Sequence, residues 1–254
     1  MSKIFAAAVL IAWTVAAAAE TRYYWVDAAG EHYARDAPHS TNYTMIFVPN
    51  SISWRPKPDQ ANANTPGAPL TPQALFKIVS PSVYWVRIDP KMVGSAGGVY
   101  GSAIAVSEHE AITNCHIVAG REGQLTIGSG DPEETSDAEL VALDFDADRC
   151  VVKTRKLQLH PVSGIRHYDS LEVGEAVFAI GNPRKMQRTL SSGLISGKRT
   201  DNEERLIQFT AAISPGSSGG GLFDANGNLI GVTSYSLTGS QGINFAIPAE
   251  DFWK

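Results

Sequence analysis

Only two cysteines, Cys115 and Cys150, occur in 254 residues, which excludes a small scaffold stapled by several disulfides and leaves stability to a packed core. Positive charge is not in excess. Twenty-one Lys and Arg face 26 Asp and Glu, a net charge of −5, which argues against a nucleic-acid partner, because phosphate neutralisation needs concentrated cations. No apolar run reaches the roughly 20 residues that a spanning helix needs. With 43% apolar and 19% charged residues, the chain has the composition of a folded soluble protein, so global disorder is excluded.

The first residues carry Lys3, an apolar stretch from Ile4 to Val15, and Ala17-Ala18-Ala19 before Glu20. A charged start, a short apolar core and small residues predict a secretory signal peptide over residues 1–19, with an uncleaved anchor as the alternative. The expected location is exported, periplasmic or secreted, with no membrane contact beyond that segment. Residues 20–55 are expected to form a small β module: Tyr23 to Tyr33 alternates aromatic and polar residues around Asp27-Ala28-Ala29-Gly30, which predicts a hairpin. Through Arg35-Asp36-Ala37-Pro38 it resembles a small N-terminal module of bacterial envelope proteins. His32 and His39 read as surface residues, with no neighbouring ligand set. Residues 56–72 hold five prolines and almost no large apolar side chain, so they predict an extended linker. A folded domain is expected over 73–254.

Pro72 to Val79 predicts a short amphipathic helix, capped by Thr71 and stopped before Pro81. Runs at 83–88, 101–106, 124–127, 138–143, 149–153, 176–180, 206–211, 229–235 and 243–247 predict strands. So many short strands without long helices predict an all-β sandwich or pair of barrels. Residues 224–228 read as a hairpin loop in which Asn226-Gly227 supplies positive φ angles.

Chemistry concentrates in three stretches. Ser214-Pro215-Gly216-Ser217-Ser218-Gly219-Gly220 places serines in a glycine-rich turn, where exposed hydroxyls and converging N–H groups suit acyl transfer. A flexible Gly/Ser loop is the bland alternative. Thr113-Asn114-Cys115-His116 ends a strand-like run with a histidine. Asp144-Phe145-Asp146-Ala147-Asp148 leads acids directly into an apolar strand, where one carboxylate can hold an imidazole in its useful tautomer. Asp144 reads as a solvated loop acid.

The order His116, Asp148, Ser218, together with Gly101-Ser102-Ala103-Ile104, Ala179-Ile180-Gly181-Asn182-Pro183 and Gly242-Ile243-Asn244-Phe245-Ala246-Ile247-Pro248, resembles the trypsin-like serine proteases, and among them the HtrA/Deg group. The resemblance covers nearly all of the chain after the linker. It implies a chymotrypsin-like double six-stranded β-barrel with a short N-terminal helix, besides the small N-terminal hairpin module. It implies polypeptide substrates and neither metal nor cofactor. Ser218, rather than Ser217, is implied as nucleophile, His116 as base, and Asp148 as orienter with Asp146 as second choice. Gly216 and Ser218 are implied to donate the oxyanion-hole N–H groups. Ala212 is implied at the floor of the primary specificity pocket, and Ser234, Tyr235 and Ser236 on the strand that pairs with substrate. Without an acid at that floor, small or medium apolar side chains are expected before the cleaved bond. Packing is an equally good role for Tyr235. Ser217 offers no carboxylate to a newly made N-terminus, so activation by propeptide removal is not expected.

Departures from the family are Cys115, where an Asn is common, Arg149-Cys150 in place of an apolar-small pair, Gly221 in place of Pro, and an end at Lys254 that leaves no room for a PDZ domain. In an exported chain the two cysteines are expected to pair, since a His116–Asp148 contact brings their segments together and residues 148 and 150 share a strand face; two free thiols are the alternative. A peptide-binding scaffold that has lost catalysis is the rival reading. A metal site on Cys115, His116 and Cys150 lacks a CxxC or HxxxH pair.

Overall fold

The computed structural model describes residues 23–26, 32–34, 44–47, 68–90, 98–119, 123–130, 134–201, 204–237 and 239–253. The expected signal peptide and residues 56–67 of the expected linker lie outside them. Within the N-terminal segment, β1 (Tyr23–Val26) pairs antiparallel with β2 (His32–Ala34) and with β3 (Thr44–Phe47), a strand the sequence pattern did not suggest.

Helix α1, Pro72–Val79, begins where Thr71 accepts the Ala74 N–H at 3.2 Å and Pro72 fills a position that needs no donor. Leu70 already belongs to the folded domain, because its N–H donates to the Ala225 carbonyl at 2.9 Å and its side chain packs on the core. Residues 70–72, placed in the expected linker, are thus part of this packed structure.

Two closed antiparallel barrels follow. The first consists of β4 (Val83–Pro90), β5 (Val99–Ala105), β6 (Glu110–Thr113), β7 (Gly123–Ser129), β8 (Glu134–Asp144) and β9 (Arg149–Thr154), in the spatial order β4-β5-β6-β9-β8-β7. Between β6 and β7 lies the single turn α2, Cys115–Val118. The second consists of β10 (Ala176–Gly181), β11 (Thr189–Asp201), β12 (Glu204–Phe209), β13 (Gly221–Asp224), β14 (Leu229–Ser236) and β15 (Asn244–Pro248), in the order β10-β11-β12-β15-β14-β13. Closure leaves neither sheet with an unpaired edge. The architecture is the chymotrypsin-like double barrel that the sequence pattern and resemblance led us to expect.

Ile104, Ile112 and Val151 of the first barrel, Phe178, Phe223 and Val232 of the second, and Leu75 and Val79 of α1 form one buried cluster. Shared apolar burial thus joins the barrels and leaves little freedom for one to slide on the other. The chain closes with a short turn, Ala249–Trp253, whose Phe252 is fully buried in that same cluster.

Two local expectations are corrected. Asn226 does not take a positive φ; Gly227 alone does, at 83°. The loop itself lies where expected, between β13 and β14, and the Asp224 carboxylate holds it by accepting the N–H groups of Asn226 and Asn228, each at 2.9 Å. Asp148 does not share a strand face with Cys150. It sits before β9 with φ 55°, in the left-handed turn that closes the β8–β9 hairpin.

Candidate active site

His116 lies in α2 of the first barrel, Asp148 in the β8–β9 turn, and Ser218 in the loop that enters β13 of the second barrel. Asp148 grips His116 at two points: Oδ1 accepts the His116 main-chain N–H at 2.9 Å, and Oδ2 lies 2.8 Å from Nδ1. A carboxylate only accepts, so this contact puts the ring proton on Nδ1 and leaves Nε2 as the acceptor of a neutral imidazole. Ser234 Oγ adds a third hydrogen bond, to Asp148 Oδ2 at 3.0 Å. The Asp148 carbonyl in turn accepts from Asn114 Nδ2 at 3.2 Å and from the Cys115 N–H at 3.4 Å. Asp146, the second choice for this role, is exposed in the same turn. Asp144 is no idle loop acid, because it accepts from Arg149 Nη2 at 2.6 Å and from the Ala147 N–H at 3.2 Å.

Cys115 and Cys150 form a disulfide with Cα atoms 5.0 Å apart. The bridge falls just beyond the Thr113–Cys150 strand pair. Both sulfurs are thus committed to each other rather than to a metal.

The serine loop is a type II turn dictated by its residues. Pro215 sits second and Gly216 third, with φ 98°, and the Ser217 N–H closes the turn on the Ser214 carbonyl at 2.8 Å. A Cβ on Gly216 would lie 2.8 Å from the Asn182 carbonyl oxygen, and one on Gly219, φ 83°, would lie 1.9 Å from that of Ser102. Neither position accepts another residue without moving backbone. Every carbonyl from 215 to 218 is held: Pro215 by the Arg184 N–H at 2.9 Å, Gly216 by Ser102 Oγ at 2.7 Å, Ser217 by Thr233 Oγ1 at 2.7 Å, and Ser218 by the Ser102 N–H at 2.8 Å. The N–H groups of 217, 219 and 220 are likewise used, whereas those of Gly216 and Ser218 donate to no acceptor among the described residues. A planar trans peptide sets its N–H opposite its C=O. Holding the Pro215 and Ser217 carbonyls therefore aims the two unused donors, the pair expected to bind an oxyanion.

Ser218 Oγ donates to the Ser234 carbonyl at 2.7 Å. Tyr235, 42% exposed, stacks on Phe245 with ring centres 4.9 Å apart, and burial first, then the charge of Asp201, raises its phenol pKa. It thus packs and still presents a face to solvent. Ser236 Oγ donates to Asn244 Oδ1 at 2.7 Å. Ala212 is exposed, and its carbonyl accepts from Ser191 Oγ at 2.7 Å.

The sequence marks Ser102 and Asn182, at 0% and 1% exposure, only as parts of motifs. A signal existed: each is a lone polar residue beside an apolar strand run, and a polar side chain buried there must be satisfied.

A sequence model described as "Trypsin-like peptidase domain" matches residues 101–232. HhoB of Synechocystis sp. is 33% identical over 200 residues, covering 75% of this chain and 46% of that protein. "Protease Do-like 1, chloroplastic" of Arabidopsis thaliana is 39% identical over 152 residues, covering 55% and 34%. This chain thus spans between a third and a half of these relatives. Among solved structures, "HtrA-type protease AlgW with tripeptide" superposes with a TM-score of 0.62 at 34% identity, over 69% of this chain and 59% of that one. Deg5 does so with a TM-score of 0.59 at 29% identity, over 70% and 88%.

Proposed function

This chain belongs to the trypsin-like peptidase family and is HtrA-like, and from that premise we propose that it is a serine endopeptidase of the cell envelope cutting unfolded polypeptides. The observation that carries the reading is the oxyanion turn, in which only the Gly216 and Ser218 N–H groups are left unused, one belonging to the nucleophile itself and the other to the residue two before it. Preorganised donors of this kind stabilise charge that develops only in the transition state.

In the proposed reaction, Ser218 Oγ turns from the Ser234 carbonyl to the imidazole by rotation about Cα–Cβ. It attacks the peptide carbon as His116 Nε2 takes its proton, and the carbonyl oxygen becomes an oxyanion between the two N–H groups. Collapse expels the amine, which takes the proton from His116. Water, deprotonated by the same nitrogen, then hydrolyses the acyl-enzyme. Asp148 holds the tautomer and stabilises the imidazolium. Ala212 at the pocket floor favours a small or medium apolar side chain before the cut, and the β14 segment Ser234–Ser236 pairs with substrate backbone.

A peptide-binding protein without hydrolysis is the second reading, and the Ser218–Ser234 hydrogen bond favours it. A fluorophosphonate probe separates the two. It is expected to label the wild type covalently at Ser218, with casein cleaved in parallel, and to spare both Ser218→Ala and His116→Ala. A folded wild type that binds casein but neither labels nor cleaves would establish the binding-only reading.

A further inference from the structure

We propose that Ser102 and Asn182 form a buried couple that sets the oxyanion turn, making both positioning residues for the hydrolysis; the inference rests on the hydrolase reading above. Ser102 interrupts the apolar strand β5, where alanine would fill the space as well. Its value lies in the hydroxyl. Ser102 Oγ accepts from the Asn182 N–H at 2.9 Å and from Asn182 Nδ2 at 3.2 Å. A hydroxyl has two acceptor sites and one proton. With both acceptor sites occupied, the proton has one destination, the Gly216 carbonyl 2.7 Å away.

Asn182 therefore decides which way the Ser102 O–H points, and Ser102 decides where the Gly216 carbonyl points. The Ser102 main chain adds a second hold, its N–H on the Ser218 carbonyl at 2.8 Å. One residue of the first barrel thus fixes two of the four carbonyls in the serine loop of the second. Gly216 has no side chain to restrict it, so an untethered carbonyl there would let the 216–217 peptide rotate and, through Gly216, shift the adjoining peptide that carries an oxyanion donor. Asn182 is fixed in its turn: Nδ2 donates to the Tyr84 carbonyl at 2.8 Å, and Oδ1 accepts the Arg188 N–H at 3.0 Å. That last contact anchors the loop 183–188, which supplies the Arg184 N–H to Pro215. Three of its residues, Arg184, Lys185 and Arg188, have φ between 50° and 67°, a conformation non-glycine residues adopt only when held.

Full-length wild type and Ser102→Ala are compared on a fluorogenic peptide with a small apolar residue before the cut, and on a peptidyl boronate of the same sequence, whose tetrahedral adduct mimics the oxyanion. Binding of the uncut peptide is measured in a Ser218→Ala background, with and without Ser102→Ala. Loss of the hydroxyl is expected to lower kcat about tenfold or more, toward the value for losing one oxyanion donor. Boronate affinity should fall in proportion, with KM and uncut-peptide binding within about twofold, the pattern of a lost transition-state interaction. A merely structural role would not separate these quantities. Near-UV circular dichroism confirms folding; if Ser102→Ala does not fold, the nearly isosteric Ser102→Cys, a weaker donor, takes its place under the same criteria. An active wild type beside a folded variant with unchanged kcat, or with only KM raised, overturns this inference alone. A wild type that neither cleaves nor labels overturns the hydrolase reading and this inference with it.

Discussion

Ser234 touches Ser218 through its main chain and Asp148 through its side chain: its carbonyl accepts the Ser218 hydroxyl at 2.7 Å, and its Oγ donates to Asp148 Oδ2 at 3.0 Å. One residue, 6% exposed, thus sets both the resting position of the proposed nucleophile and the orientation of the carboxylate behind the proposed base. Replacement separates the two contacts, because Ser234→Ala removes the hydroxyl and keeps the carbonyl. A hydrogen bond to a charged group contributes about 1.5–3 kcal/mol. Ser234→Ala is therefore expected to lower kcat/KM by about tenfold, or somewhat more, and to leave fluorophosphonate labelling slower but complete. Steady-state kinetics check it; an unchanged kcat/KM would mean that the two His116 contacts alone suffice to hold Asp148.

Much of the fold was readable because apolar alternation and turn chemistry agreed. Thr71 and Pro72 marked a helix start, and the Val- and Ile-rich runs marked strands. The 13-residue β11 escaped notice, since Ser191, Ser192, Gly193, Ser196 and Gly197 are turn formers; its extended state comes from pairing with β10 and β12. Gly193 has a tertiary reason, for a Cβ there would lie 2.2 Å from the Ala211 nitrogen. In the site, the choice between Asp146 and Asp148 rested on resemblance, because several acids crowd one turn and only the backbone path decides which faces His116. Arg149 looked like a mere departure from a pattern. Of its partners, Asp144 lies close by in sequence, but the Asp251 carbonyl lies 102 residues on, and no local spacing announces that contact.

Arg149 is 6% exposed and reaches in two directions: Nη2 to Asp144 at 2.6 Å and Nη1 to the Asp251 carbonyl at 2.8 Å. It thereby ties the turn bearing Asp148 to the closing segment of the chain. Removing one partner of a buried ion pair costs about 3–5 kcal/mol, less where the other partner reaches solvent, and the Asp144 side chain is 24% exposed. Arg149→Met is therefore expected to lose about 2–3 kcal/mol in urea unfolding. Arg149→Lys should recover only part, since an ammonium cannot fork to both partners. Equal stability of Arg149→Met and wild type would show that the clasp contributes nothing net.

Acid should weaken the fold through two depressed carboxylates. Burial acts to raise the Glu250 pKa, but the hydrogen bonds from His167 and Arg205, with their charges, outweigh it and leave the value below the ordinary one. Glu175 behaves alike, with burial outweighed by Arg166 and by the Glu172 N–H. A depressed carboxylate contributes stability that is full above its unfolded value, about 4.3, and that is lost as pH falls through the lower folded value. Thermal midpoints are thus expected to be flat with respect to these groups from pH 6 to 8 and to drop below about pH 4. Glu250→Gln should flatten that acid limb; an unaltered limb would assign it to other carboxylates.

The bridge between Cys115 and Cys150 joins the residue before His116 to the strand that follows Asp148, with both sulfur-bearing residues fully buried. Closing a loop of this length in the unfolded chain stabilises by about 2–4 kcal/mol. The His116–Asp148 geometry does not hang on the bridge alone, since the Cys115 N–H, Asn114 Nδ2 and the His116 N–H all bind Asp148. The double variant Cys115→Ala/Cys150→Ala should therefore lose about that much stability while keeping most of its activity at temperatures where it is folded. Mild reductant should act slowly on the folded protein, because a buried disulfide must be exposed before a thiolate can attack it. Urea unfolding and kinetics at low temperature separate the two effects, and mass spectrometry of unreduced, alkylated protein verifies the bridge. A folded double variant with activity reduced a hundredfold would reverse the assignment, making the disulfide a determinant of site geometry rather than of stability.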